Sequence, residues 1–356
     1  MTDMNIDRET APGFDVAPSD RPDLLVPEKI GVALGRCAAM RLLPSMGVHL
    51  TLYRASIRGD REAEARFASY ESALGAGRHL GLIVAKRWER EHSGRIRFLN
   101  PGTQQIANDL RYHIAPSLGC VYLDCDYTTA HVWIAAARSG DRALLTALAG
   151  GDLYKQIAAW LAPDADPKRM RKAVKRSVLA LLNGGGLHTV ARNLRAVVGA
   201  ARAEGLAFSL IAEWWCTFPD LWRYCTAVQS FAVQNRLMEQ VPVPTLTGRI
   251  AMIPLKSKGN DGWKTLLSAA WSSVEADAMD LVLGRLHGTI GDLDGRLVQP
   301  MFDGVLVECP VRNASVAAAR MRALMSWAIA AVGVPGVGVD IEILERWGAE
   351  VALSPR

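Results

Sequence analysis

The sequence predicts an α+β fold, and three observations carry that expectation. Two short apolar stretches, 121–127 and 301–308, have strand length and each contains an aspartate. Between them, from Thr128 to about Glu239, the spacing is mostly helical. Gly140, Gly150-Gly151, Pro163 to Pro167 and Gly184-Gly185-Gly186 cut that stretch into separate helices.

The elements follow in order. Residues 1–26 carry Asp3, Asp7, Glu9, Asp15, Asp20, Asp23 and three prolines among few apolar groups, the composition of a disordered tail. From Lys29 to about Arg90 apolar residues step by three and four: Ile30, Ala33, Leu34 and Cys37, then Ala63, Phe67, Tyr70 and Leu74. This predicts mostly helix. Ser93-Gly94-Arg95-Ile96 and Asn100-Pro101-Gly102 are turn-rich, and a strand ending at Asp126 follows. Residues 240–256 read as a hairpin punctuated by Pro242, Pro244 and Pro254, and a long helix is expected from Gly262 to about Leu286. Asp303-Gly304 is a hairpin-turn dipeptide between apolar strands. A helix over Met321 to Ala331 and a strand near Val337 to Leu344 close the chain.

Half of the 356 residues are apolar, enough for a large core in one to three lobes. Six cysteines, at 37, 120, 125, 216, 225 and 309, form no CxxC pair. Neither a zinc ribbon nor a disulfide framework is suggested, and a reducing compartment fits. The N-terminus is polar and acidic, and no uncharged apolar run reaches the ~18 residues of a membrane span. A cytoplasmic protein with no membrane partner is expected. The net charge of +5 is mild, but Lys168, Arg169, Arg171, Lys172, Lys175 and Arg176 crowd into nine positions.

Arg171, Lys175, Leu179 and Asn183 are spaced by four and share one helix face. Two cations one turn apart suit a triphosphate, with Leu179 and Asn183 toward a base or sugar. On these residues alone, a solvated basic face is the competing reading. Asp126 and Asp303 lie in apolar strands, where a carboxylate is costly to bury unless paired. Two converging carboxylates would repel, and a pair of divalent cations relieves that repulsion in phosphoryl-transfer sites. The combination points to nucleotidyl transfer. Asp124 shares a strand face with Asp126 and reads as a peripheral carboxylate or a second one near the metals; the role of Glu308 stays open. Trp214, Trp215 and Trp222 read as core at helical spacing, and His131 opens the helix after Asp126.

Taken together, these segments resemble DNA polymerases of family A, colinearly from about residue 93 to 350. Ser93-Gly94-Arg95-Ile96 through Asn100-Pro101-Gly102-Thr103-Gln104-Gln105-Ile106 is similar to the family's TGRLSS…NPNLQNIP segment. Asp126-Tyr127-Thr128-Thr129-Ala130-His131 resembles DYSQIE. Ser139-Gly140-Asp141 and Gly151-Asp152-Leu153-Tyr154 resemble SGD and G-x-D-I-H. Arg171, Lys175, Leu179, Asn183 and Gly184 match the R-x3-K-x3-F-x3-Y-G pattern, and Phe302-Asp303-Gly304 falls on H-D-E. Val334-Pro335-Gly336-Val337 through Arg346-Trp347 resembles the closing VPL…NW.

The resemblance implies a right-hand fold. Residues 27–92 would form a reduced thumb-like helical region, 93–127 and 240–356 the antiparallel palm, and 128–239 the helical fingers. It implies two Mg²⁺ ions, with Mn²⁺ as an alternative, held by Asp126, Asp303 and the backbone carbonyl of Tyr127. Arg171 and Lys175 would hold the triphosphate, with Lys175 also a proton donor to pyrophosphate, while Leu179, Asn183 and His131 would line the nucleotide. Arg95, Gln104, Gln105, Ser268 and Ser272 would face primer–template DNA, whose binding should weaken with salt. The implied activity is DNA-directed DNA synthesis from dNTPs, in replication or repair. The 92 residues before the match leave no room for a proofreading domain of ~200 residues, so no editing is expected. Several positions depart from the family. Leu179 and Asn183 replace an aromatic pair, His131 replaces an acidic residue near the sugar, Ser268 and Ser272 replace Asn and Gln, and Phe302 and Gly304 replace His and Glu. The Lys175 to Val178 run is also similar to single-subunit phage RNA polymerases. An RNA-synthesising primase or RNA-polymerase-like enzyme on the same fold, and a degenerate nucleic-acid-binding protein, are therefore the alternatives.

Overall fold

The computed structural model describes residues 49–53, 80–84, 87–99, 102–106, 111, 114–255 and 262–350. The tail over 1–26 and the helical spacing at 30–37 and 63–74 lie outside the described residues. Those described within 29–90 depart from the mostly helical expectation. They form strands β1 (His49–Tyr53), β2 (Leu80–Val84) and β3 (Arg87–Arg90). The local reason is legible in His49-Leu50-Thr51-Leu52-Tyr53, which alternates with period two. Strands β4 (Ile96–Leu99), β5 (Ile114–Ala115) and β6 (Cys120–Thr128) follow.

Then come helices α1 (Ala130–Ser139), α2 (Arg142–Ala149), α3 (Leu153–Leu161) and α4 (Pro167–Leu182), then α5 (Leu187–Val198), α6 (Ala200–Thr217) and α7 (Pro219–Gln234). The hairpin β7 (Gln240–Pro244) and β8 (Ile250–Pro254) leads to the long helix α8 (Gly262–Ile290). The chain continues through β9 (Arg296–Pro300), β10 (Gly304–Pro310), α9 (Ala314–Ala331), β11 (Gly338–Arg346) and β12 (Ala349–Glu350).

Internal contacts divide the chain into two compact units. One holds the described residues from 131 to 272, the other those from 49 to 130 and from 273 to 350.

In the helical unit, the expected glycine and proline breaks fall beside aspartates that cap the helices. Asp141 caps α2, its Oδ1 accepting from the Leu144 N–H at 2.9 Å, and its Oδ2 accepts from the Leu221 N–H at 3.1 Å. Asp152 caps α3 through the Lys155 N–H, and Asp166 caps α4 just before Pro167. These caps satisfy amides that a helix start leaves orphaned. Helix α4 ends where Asn183 donates back to the Leu179 carbonyl at 2.8 Å and Gly184 adopts φ +77°. The Trp271 indole, fully buried, donates to the Leu182 carbonyl at 3.0 Å. The ring of Trp263 lies 2.3 Å from where a Cβ on Gly184 would stand. Gly184→Ala therefore meets both a left-handed backbone and an occupied site. We expect a loss of roughly 2–3 kcal/mol, read as a lower midpoint in thermal or urea denaturation.

The other unit is built on an antiparallel sheet of order β12-β11-β6-β10-β9. Helix α9 packs on β6, β10 and β11, and the Tyr127 hydroxyl donates to the Met325 carbonyl at 2.9 Å. Every residue of β10 is buried, as a central strand requires. β9 and β10 form the expected hairpin, closed by the Met301 N–H on the Gly304 carbonyl at 2.8 Å. Thr129, β-branched, has φ 62° at the exit of β6, a strained turn immediately after the strand that carries Asp126.

Candidate active site

Antiparallel pairing of β6 with β10 sets Gly304 opposite Asp126. Asp303 is the residue before Gly304, and its backbone carbonyl accepts from the Tyr127 N–H at 3.2 Å. The two aspartates, remote in sequence, thus meet at one end of the sheet, Asp126 near the end of β6 and Asp303 in the turn that enters β10. Asp126 is exposed and Asp303 half-buried, so the expectation of two buried carboxylates is corrected for Asp126. Exposure alternates at this end of β6, with Asp126 and Thr128 facing solvent and Tyr127 buried between them. Asp340 on β11 pairs with Asp126 from the other side and is also exposed.

Gly304 determines the room beside Asp126. A Cβ there would stand 3.0 Å from Asp126 Oδ1 and 2.3 Å from the Cys125 carbonyl. The two strands approach so closely that no side chain fits at this position. Two carboxylates and a neighbouring carbonyl suit a hard cation such as Mg²⁺, which takes few protein ligands and completes its shell with substrate oxygens and water. Among the described residues, no group of three or more His, Cys, Asp and Glu side chains is arranged to hold a metal by itself.

Asp124 stands apart from this centre. It accepts from the Trp347 indole at 3.2 Å, and the Arg111 guanidinium lies 4.4 Å over the same ring. Burial raises its carboxyl above the usual range, against the pull of Trp347 and Arg111. Glu308 is buried at the far end of β10, accepting from Arg296 and from the Ser117 N–H.

Arg95 is gripped within the same unit. It forms an ion pair with Glu275 of α8, and its guanidinium lies 5.6 Å from the centre of the Phe302 ring. Burial disfavours its charge, but Glu275, Asp303 and Glu91 outweigh that and raise its pKa. Arg90 makes a second pair with α8, a fork onto Asp280 at 2.7 and 3.2 Å. The sequence reading missed Glu275 and Asp280. Their signal was present as acidic residues in the otherwise apolar run Ser273-Val274-Glu275-Ala276-Asp277-Ala278-Met279-Asp280.

Two of the expected nucleic-acid contacts are corrected. Gln104 is buried, its amide donating to the Ile96 and Pro300 carbonyls and accepting from the Phe98 N–H, so it ties β4 to β9. Ser272 is buried and donates to the Ser268 carbonyl at 2.7 Å. Gln105 and Ser268 are exposed.

In the helical unit, α4 carries its basic row as read. Lys175 is exposed, and Arg171 donates from Nε to Asp152 Oδ2 at 2.6 Å. Burial favours the neutral Asp152, yet the hydrogen bonds from Arg171 and the Lys155 N–H, with the Arg171 charge, prevail and hold its carboxyl below the usual carboxylate range. Leu179, Asn183 and His131 are half-buried. Trp214 is core, as expected, whereas Trp222 is about half exposed (49%) and packs on Trp215 at 5.0 Å.

This mixed architecture is the fold of a polymerase domain. The structure matches the POL domain of Pol1 from M. smegmatis, solved in complex with DNA primer-template and dNTP, with a TM-score of 0.62 and 18% identity. The match covers 83% of this chain and 53% of that one. The chain belongs to DNA polymerase family A, whose profile matches residues 89–349. It is 24% identical over 270 residues to the thermostable DNA polymerase I of Thermus thermophilus, covering 72% of this chain and 31% of that protein. It is likewise 24% identical over 251 residues to DNA polymerase I of Deinococcus radiodurans, covering 65% and 25%. The chain thus spans less than a third of the length of these curated relatives. No helix among the described residues is long and apolar enough to cross a membrane.

Proposed function

We propose that the chain is a template-dependent DNA polymerase that extends a primer 3′-hydroxyl with dNTPs. The observation that carries this reading is the pairing of Asp126 against Gly304, which brings Asp303, the residue before that glycine, next to the end of β6. Asp126, Asp303 and the Tyr127 carbonyl would hold a pair of Mg²⁺ ions. Once bound, the ions supply a lowered pKa at the primer hydroxyl and neutralise the leaving pyrophosphate.

The chain's own groups do the rest. Arg171 exchanges Asp152 for the γ-phosphate. Lys175, exposed one turn on, holds the phosphates and hands its proton to pyrophosphate as the bond to the α-phosphorus breaks. Leu179 and Asn183 bound the base, and His131 lies toward the sugar. Arg95 reaches the primer–template from its seat against Glu275, with Gln105 and Ser268 as further polar contacts.

Primer extension with Mg²⁺ tests the whole reading. We expect dNTPs to be added to a primed template, in template order, and rNTPs to be added far more slowly. Absence of any extension with either nucleotide, in a folded protein that still binds primer–template, would leave a nucleic-acid-binding protein.

A further inference from the structure

We propose that Glu275 is a positioning residue that limits the grip of Arg95 on Asp303, so that a divalent cation can compete for that carboxylate. The inference rests on the two-metal reading above.

Glu275 is fully buried in α8. A carboxylate in such a place is strongly destabilising unless its charge is met, and Arg95 meets it. The same guanidinium lies over Phe302, the residue before Asp303. Arg95 also lies in the field of Asp303 and, more weakly, of Glu91. The cation is therefore shared between an inward carboxylate that cannot leave and an outward one that is wanted for metal. Neutralising Glu275 removes the inward pull. Arg95, still largely buried, then gives more of its charge to Asp303 and opposes the metal there. The Arg90–Asp280 pair serves as an internal control. It joins the same helix to the hairpin of β3 and β4, and Arg90 is tied to the Gly94 carbonyl as well. Loss of that pair loosens the support without redirecting a cation onto Asp303.

The experiment is a titration of the full chain with Mn²⁺ alone, followed by electron paramagnetic resonance or calorimetry, without nucleic acid or nucleotide. Glu275→Gln keeps the shape and removes the charge. Its Mn²⁺ midpoint should rise about tenfold. Adding Arg95→Met to Glu275→Gln should return the midpoint to within about threefold of the parent. Asp280→Asn should lower the melting temperature and leave the midpoint in place. An unchanged midpoint in Glu275→Gln, or an equal shift in Asp280→Asn, would overturn the proposal. If Glu275→Gln does not fold, Glu275→Asp carries the test. It keeps the charge with a shorter reach, so a shift of about threefold is expected and none would be fatal. Failure of the underlying two-metal reading looks different: the parent protein would then bind no Mn²⁺ that Asp303→Asn abolishes.

Discussion

Replacing Asp303 with alanine lowers primer extension by at least about a thousandfold, the loss expected when several kcal/mol of transition-state charge stabilisation is removed. Asp126→Ala does the same. Neither change should disturb the fold. Asp126 is exposed, and the hydrogen bond that Asp303 contributes to the sheet runs through its backbone carbonyl, which alanine keeps. Without metal, Asp126→Ala should melt near the parent temperature and Asp303→Ala slightly below it, since Arg95 loses part of its charge partner. With millimolar Mg²⁺ the parent gains stability by mass action and the variants do not. Primer–template affinity should change by less than about threefold, since phosphate contacts to basic side chains dominate it. Single-turnover extension, thermal melts with and without Mg²⁺, and fluorescence anisotropy measure the three quantities. Extension at parental rate in both variants would show that the chemistry lies elsewhere.

The sheet and the helices were legible because their signals are local. β6 and β10 announce themselves as short apolar runs, the β7–β8 hairpin by prolines, and α2, α3 and α4 by the breaks at Gly140, Gly150-Gly151 and Pro163 to Pro167. The pairing of Asp126 with the Asp303-Gly304 hairpin was foreseen through order and spacing, because composition does not encode which strands adjoin. β1 and β2 were obscured where three- and four-residue steps on either side invited extension of a helix across them. The site's supporting charges were not legible. Glu275 and Asp280 interrupt an apolar helix, and a sequence shows the interruption without showing Arg95 and Arg90 waiting for them. Gln104 misled for the converse reason: a polar side chain amid turns reads as solvent-facing until its three partners, all backbone groups, are seen.

Gly304→Glu, which restores the acidic residue of the family's H-D-E motif, should damage this protein. In β10 the strand at Gly304 comes so near β6 that a Cβ would stand 2.3 Å from the Cys125 carbonyl. Real side chains do not tolerate that approach, and the obstacle is backbone rather than a flexible side-chain end. A glycine inside a strand marks such closeness. The hairpin would have to retreat, and the Tyr127 N–H to Asp303 carbonyl bond, already 3.2 Å, would lengthen or break. Asp126 Oδ1, 3.0 Å from the new carbon, would be displaced as well. Gly304→Ala alone should therefore cost about 2–3 kcal/mol of stability and lower extension by roughly a hundredfold, through displacement of both aspartates. The glutamate adds a third negative charge beside two others and should be worse on both measures. Urea denaturation and single-turnover extension of the two variants decide the matter. A fully active, equally stable Gly304→Glu protein would mean that the close contact of β6 with β10 is not what positions Asp126 and Asp303. The expected result makes the departure from the family pattern a consequence of strand spacing: this sheet brings its carboxylates together by tightening around a glycine, and so has no room for the side chain that relatives keep there.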